Sequence, residues 1–263
     1  CVCFYILTQV LGLNLLLSLL GSIAYAYSTY DPILAAVGHE TKLMAIGYMP
    51  AVLAGILLIL RGRWLGGTAL TALFFGMEVS TQHLQVVYYT GIIVAAIIIT
   101  WLITEWKHKD FKRWLISGAL VAVGLIIGFM NYALVMLPTK EYAKETMRGG
   151  QSALTQADSQ NKTKGGLDKD YAFGWSYGIA ETLTLFVPGM SGGGMLGKEI
   201  TENSKFADEL TAIGYPEESA LQLANSRAYW GPQPNTAGPV YLGAVVCLLF
   251  ILGMVFVKSW HKW

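Results

Sequence analysis

The sequence predicts an all-α polytopic membrane protein with a large external loop region, and three observations carry that prediction. Of 263 residues, 54% are apolar and only 13% charged, about half the charged share of roughly 25% usual in soluble domains. Several apolar runs meet or approach the about 20 residues that a helix rising about 1.5 Å per residue needs to cross a hydrocarbon core about 30 Å thick. Basic residues gather in every second short connection, as the positive-inside rule requires of a chain that crosses repeatedly. The net charge of +1, from 18 basic and 17 acidic residues, gives no reason to expect nucleic acid or another polyanion as partner.

Taken in order, residues 1–10 form an apolar segment and 12–14 a short turn. Further spans are expected at 13–27, 43–60, 65–79, 86–103, 114–137 and 240–257, for about six crossings in all. Pro50 lies inside the 43–60 span, where its missing amide should kink the helix or line a protein-filled cavity. Residues 1–137 are thus transmembrane helices with short loops, 138–239 an external loop region, and 240–263 a last transmembrane helix with a basic cytoplasmic tail. Arg61 and Arg63, then Lys107, Lys109, Lys112 and Arg113, then Lys258 and Lys262 mark the cytoplasmic turns, and the long loop should face outward. Trp64, Trp101, Trp106, Trp114, Tyr88, Tyr89, Tyr132 and Trp260 stand near span ends, where amphipathic rings favour the headgroup level.

Within the loop region, 142–148 reads as a charged continuation of the preceding helix, and the Ser/Thr/Asn/Gln-rich 151–166 as a mobile polar segment. Residues 205–227 suit an amphipathic helix around Leu210, Ile213, Leu221 and Leu223, broken at Gly214 and Pro216. Cys1, Cys3 and Cys247 all sit in apolar stretches and read as small hydrophobes, not as a disulfide framework or metal site. The chain starts inside an apolar run without the marks of a signal peptide and stops soon after another, so it is expected to belong to a longer protein.

Among motifs, GGGMLG at Gly192 to Gly197 fits GxGxxG and, through Lys198 and Glu199, nearly fits the phosphate-cradling GxxxxGK[ST] loop. Glu199 stands where that loop needs Ser or Thr for magnesium, and Pro188 interrupts the run where a buried strand should precede it. A flexible surface loop is the better reading. Asn161, Lys162 and Thr163 form an NxT sequon, which shows only that the site accepts glycosylation if the enzyme meets it.

Glu78 is the carboxylate deepest in an expected span. Such a group costs at least about 2.5 kcal/mol on insertion scales, so it should face the bundle interior, either bonded to a neighbouring helix or functional. His83 follows near the outer end with Gln82, Gln85, Tyr88 and Tyr89, a polar and aromatic cluster. His39, Glu40 and Lys42 place an imidazole, a carboxylate and an ammonium in one short outer segment, suited to a lipid phosphate and a sugar hydroxyl or to plain solvation. In the loop region Asp168, Asp170, Tyr171, Trp175, Tyr177 and Glu181 interleave carboxylates with aromatics, a mixture that suits carbohydrate. No compact metal-ligand spacing occurs, although His39 with Glu40, or Asp168 with Asp170, supplies part of a divalent-cation site. No cofactor is certain, and a divalent metal is the one compatible with these residues.

Three stretches, EYAKETMRGG from Glu141, LDKDYAFGWSYGIAETLTLFVPG from Leu167 and YWGPQPNTAGPVYLGA from Tyr229, resemble the YfhO family of bacterial membrane proteins. GHETK from Gly38 and QHLQVVYY from Gln82 fall in matching order, so the resemblance covers almost the whole chain. It implies a glycosyltransferase C-like helical bundle in the bacterial cytoplasmic (inner) membrane, with outer loops shaping a site at the external surface. The implied activity is transfer of a sugar from a polyprenyl-phosphate donor to a cell-envelope polymer or glycolipid acceptor. The superfamily's catalytic acid usually lies in the first external loop, between spans that here would precede Cys1. On this reading His39, His83, Asp168, Asp170 and Glu181 are the catalytic candidates. Lys42, Gln85, Tyr89, Arg148, Tyr171 and Trp230 bind substrate, with Lys42 and Arg148 at the phosphate and Tyr171 and Trp230 on a ring. A flippase or transporter of a lipid-linked substrate, motivated by Pro50 and Glu78, and a non-enzymatic cell-envelope assembly protein are the alternatives.

Overall fold

A computed structural model describes residues 1–106, 109–144, 146, 169–194, 204–234 and 236–258. Among these the chain is helical without strands. The helices are α1 (Val2–Leu11), α2 (Leu15–Ala26), α3 (Tyr30–Ala36), α4 (Glu40–Leu60), α5 (Trp64–Ser80), α6 (Leu84–Glu105) and α7 (Phe111–Ala143). They are followed by α8 (Lys169–Phe173), a 3-10 turn at Glu181–Leu185, α9 (Lys205–Ala212), α10 (Glu217–Ser226) and α11 (Ala244–Phe256). The chain divides into two compact units, Cys1–Tyr27 with Leu34–Lys144, and Ser28–Ile33 with Glu145–Trp263.

Three helices, α4, α6 and α7, are long and apolar enough to cross a membrane, where the sequence predicts about six crossings. The helix α5 has 17 residues, at the lower edge of the roughly 17–25 that span a bilayer, and α1, α2 and α11 are shorter apolar helices. The 13–27 run is trimmed at its start by Asn14, whose side chain accepts from Leu17 N at 2.9 Å and caps α2. The 240–257 run loses its first residues because Gly243, at φ 100°, does not have helical geometry and α11 begins after it. Two further differences involve proline. Pro32 sits in the first turn of α3, where its missing amide costs nothing, so the expected 28–42 connection contains a helix. Pro138 does not end α7, which runs on through Lys140 and Glu141 to Ala143. The charged continuation is therefore present up to that point, and 147–148 lie outside the described residues, as do 151–166 with the Asn161 sequon.

The first unit is built around close backbone approach. A Cβ on Gly55 of α4 would stand 2.4 Å from Thr71 Oγ1 and 2.7 Å from Thr71 N of α5. One on Gly67 would stand 2.7 Å from both Gly55 O and Ile59 N, and one on Gly128 of α7 would stand 2.9 Å from Ala72 O and Gly76 N. Gly124 and Gly128 are four residues apart in α7, the small-residue spacing that lets membrane helices touch. The helix α5 is thereby held between α4 and α7, while α1 packs on α2 and α4. Val52, Ile56, Ile59, Leu60, Val94 and Val121 form the apolar core beside these contacts.

Basic groups tie one end of this bundle together. Arg61, in the turn that Gly62 makes possible at φ 85°, donates to Val10 O at the end of α1. Arg113 Nη2 donates to Leu60 O at 2.8 Å, and Nη1 lies 3.6 Å from a Glu105 carboxylate oxygen. Around it Trp106 stacks on Trp114 at 5.5 Å and Phe111 meets Trp114 edge-on at 5.0 Å. The carboxy ends of α1, α4 and α6 and the amino ends of α5 and α7 thus gather at an arginine and tryptophan rim.

Pro50 is buried inside α4 and supplies no amide for the Ile46 carbonyl four residues earlier. Tyr25 of α2 replaces it, its hydroxyl donating to Ile46 O at 2.9 Å. Tyr25→Phe should therefore lower stability in detergent by about 1 kcal/mol, and much less in a Pro50→Ala background, where the amide returns. A double-mutant cycle by reversible unfolding measures this coupling, and a value of zero would contradict the replacement. Gly55→Ala should cost about 1–3 kcal/mol by overpacking, whereas Gly118→Ala, with nothing within 4 Å of its Cβ, should leave the unfolding midpoint unchanged or raised. Equal midpoints for the two variants would refute the close approach of α4 and α5.

Candidate functional site

The turn between α5 and α6 places a carboxylate, two threonines and the backbone amide of His83 in one hydrogen-bonded structure. Glu78, in the last turn of α5, is 0% exposed. Its backbone carbonyl accepts from Thr81 Oγ1 at 2.7 Å, and His83 N donates to that same hydroxyl at 3.3 Å. Across the turn, Thr90 Oγ1 of α6 lies 2.5 Å from Glu78 Oε1 and 3.1 Å from Val86 O. A hydroxyl has one proton to give. Directed at Glu78 it donates to the carboxylate, and directed at Val86 it leaves its oxygen to accept from the carboxyl, so the pair accommodates either form. Glu78 Oε2 is buried without a hydrogen-bond partner among the described residues.

The backbone of this turn is itself unusual. Gln82 has φ 63°, a left-handed conformation that a residue with a Cβ adopts at a cost and that gathers at functional sites. His83 follows as the residue before α6, half-buried. One turn further, Gln85 Nε2 donates to Tyr89 Oη at 2.7 Å, and Tyr88 and Tyr89 present exposed rings 6.0 Å apart. The structure therefore brings Glu78 and His83 into one turn and sets Gln85 and Tyr89 on the exposed face beside it. His39, exposed, precedes α4, and Lys42, half-buried, lies in its first turn. Both belong to the bundle end opposite the arginine rim, the end that also carries the α5–α6 turn. Among the described residues no three His, Cys, Asp or Glu side chains converge, and His39 with Glu40 alone falls short of the six to eight oxygens a calcium-like ion takes.

The second unit holds a different carboxylate. Glu181 opens the 3-10 turn and is buried. Its Oε2 accepts from Gly178 N at 3.1 Å and its Oε1 from Tyr229 Oη at 2.6 Å, while Tyr229 Oη accepts from Gln233 N at 3.1 Å. Ser191 O accepts from Trp230 N at 3.0 Å and Ala228 O from Gly193 N at 2.9 Å, which clasps Gly192 against Tyr229. A Cβ on Gly192 would fall 2.0 Å from Ala228 O. The expectation of a surface loop is corrected for the described part of this stretch, since Gly192 and Gly194 are buried. The 3-10 turn, not a strand, precedes them, which agrees with rejecting a nucleotide loop; 195–199 lie outside the described residues. The cavity between Tyr177, Glu181, Thr184, Ser191 and Tyr229 measures about 10 Å³, the volume of one water and too small for a sugar ring.

These contacts separate residues that the sequence groups together. Glu181 has both oxygens committed and so orders the loop, whereas Asp170 is exposed on α8. Trp230 is 69% exposed. Asp168 and Arg148 lie outside the described residues, and of Tyr171 only the backbone in α8 is described. Sequence reading missed Thr90, Tyr229 and Tyr25 as partners. The signal for Thr90 is a hydroxyl in an otherwise apolar helix facing a buried carboxylate. For Tyr229 it is a phenol beside a glycine-rich stretch.

Compared with protein-family models, curated proteins and solved structures, the chain matches none.

The Tyr229 phenol is pushed up to about 12, first by burial and then by the Glu181 carboxylate that its proton must leave. An unfolded tyrosine ionises near 10, so between these values the unfolded chain binds fewer protons and stability falls as pH rises. Stability from this pair should be intact below about pH 10 and lost by about pH 12, and Tyr229→Phe should remove that alkaline step. The difference in tyrosinate absorbance between the two proteins checks it; a Tyr229 signal titrating near 10 would contradict the Glu181 bond.

Proposed function

We propose that the chain is the membrane-embedded part of a transferase that moves sugar from a polyprenyl-phosphate donor to a cell-envelope acceptor at the outer membrane face. The observation that supports this most is the α5–α6 turn, where a fully buried carboxylate has one oxygen without a hydrogen-bond partner among the described residues and a left-handed Gln82 leads into the half-buried His83. The resemblance of QHLQVVYY and the loop stretches to YfhO proteins gives the reading its substrate class. On this reading the arginine rim faces the cytoplasm, as the positive-inside rule favours, and this turn and the amino end of α4 face outward from the bacterial inner membrane.

In such a transfer the acceptor hydroxyl loses its proton to a base as its oxygen bonds to the anomeric carbon. The bond from that carbon to the polyprenyl phosphate breaks, and cations meet the charge left on the phosphate. His83 is the base or its hydrogen-bonding neighbour, with Glu78 holding the turn that carries it. By the family resemblance Lys42 and Arg148 are the candidates for the phosphate, a guanidinium binding it bidentately. Asp168 and Asp170 accept from sugar hydroxyls, while Tyr171 and the exposed Trp230 ring offer stacking faces. Gln85 and Tyr89 line the entrance. Glu181, bonded through both oxygens, orders the loop.

The buried oxygen of Glu78, without a partner among the described residues, also favours a second reading, a flippase for a lipid-linked substrate in which opening of the bundle brings that carboxylate to the moving headgroup.

Transfer of labelled sugar from a polyprenyl-phosphate donor, assayed in proteoliposomes, separates the two. His83→Ala should lower the rate about 10²-fold or more, the size of a lost general acid–base group, and Arg148→Ala should lower it as well, at unchanged protein level. Unchanged transfer in both variants would end the transferase reading. Donor translocation abolished by Glu78→Gln would then leave the flippase in its place.

A further inference from the structure

Residues 173–190 of the second unit present an exposed surface without charge. Their one ionisable acid, Glu181, is turned inward and bonded through both oxygens to Gly178 N and Tyr229 Oη. What faces outward is Phe173, Trp175, Ile179, Phe186, Val187 and Met190, with Ile179 97% exposed. Among the described residues of the same unit, exposed charges stand just before this stretch, at Lys169 and Asp170 in the first turn of α8, and on α9 and α10, at Lys205, Asp208, Glu209, Glu217 and Glu218. Exposed aromatics without charge are costly against water and favoured at the headgroup level of a bilayer.

The same unit also shows where its hydrocarbon-facing part begins. The helix α11 is apolar on every side, contains no charged residue and buries none of its side chains, so it suits lipid and not water. At about 1.5 Å per residue its 13 residues reach about 20 Å, short of the hydrocarbon thickness. Directly before it, Leu242 N donates to Leu185 O at 3.1 Å, which fastens the 3-10 turn to the mouth of α11. The uncharged surface is therefore continuous with the start of a lipid-facing helix. Its irregular backbone suits the interface, where carbonyls and amides still reach water, and not the hydrocarbon core.

From this juxtaposition we propose that residues 173–190 form an interfacial membrane-docking segment, seated in the headgroup layer of the bilayer that α11 enters. The occupant of this surface is lipid, and the segment sets the second unit down on the membrane whatever chemistry the protein performs.

The full-length chain with Cys1, Cys3 and Cys247 replaced by serine, and one cysteine at Ile179 or at Ile213, carries a nitroxide label into phosphatidylcholine–phosphatidylglycerol vesicles. Ile213, 72% exposed just after α9, reports the charged side of the unit. The label at 179 should collide several-fold more with oxygen, relative to a water-soluble nickel chelate, than the label at 213. Equal ratios at the two positions would overturn the proposal. So would dilution-sensitive spin–spin broadening at 179, which would mean that a second copy covers the surface. Should the serine background fail to fold, Trp175→Phe in the otherwise native chain gives an independent reading. It should remove part of the fluorescence quenched by lipids brominated near the headgroup, and quenching left unchanged would also overturn the proposal.

Discussion

The contact on which the first unit depends is the meeting of bare backbone on both sides of α5. In lipid, apolar side chains gain little by leaving the acyl chains for one another, so helices associate through close van der Waals approach and interhelical hydrogen bonds. Gly55, Gly67, Gly124 and Gly128 allow that approach, and the neighbouring hydroxyls of Thr71 and Ser117 are small enough to be enclosed by it. With α5 fixed between α4 and α7, its last turn has no freedom to swing outward. Glu78 must then stay inside, and the chain has only residues 81–83 in which to reverse into α6. The left-handed Gln82 follows from that tight reversal, and Thr90 is the group that α6 brings to the carboxylate.

The two buried carboxylates show how the same side chain serves different ends. Burying a carboxylate is costly unless its oxygens find donors. Glu181 finds two, from a backbone amide and a phenol, and in return pins a loop that has little regular structure of its own. Glu78 finds one, and the remaining oxygen is held at low solvent access in a bundle that cannot relax around it.

Hydropathy made the long helices legible, because an uninterrupted apolar run of 18 or more residues has few other uses. The break of the amphipathic stretch at Gly214 and Pro216 was legible too, and it separates α9 from α10 with Ala207, Leu210, Ala220 and Ala224 on the buried faces. The ends of helices were less so, since Pro32 falls in the first turn of α3, where a missing amide is tolerated, and α7 runs on past Pro138 to Ala143. What the sequence left unread were pairings. Tyr25 meets Ile46 across 21 positions and Glu181 meets Tyr229 across 48, and neither partner carries a local pattern. Interleaved carboxylates and rings between Asp168 and Glu181 suggested one carbohydrate surface, but folding turns Glu181 inward and leaves Asp170 outside.

The replacement of an amide by Tyr25 has a consequence for assembly. A helix entering lipid normally brings all of its internal donors with it, but α4 enters with one carbonyl unserved at Pro50 and borrows the missing donor from an earlier segment. Synthesis runs from the amino end, so α2 is already made when α4 emerges. The order of the two helices along the chain is therefore also an order of supply, in which the lender precedes the borrower.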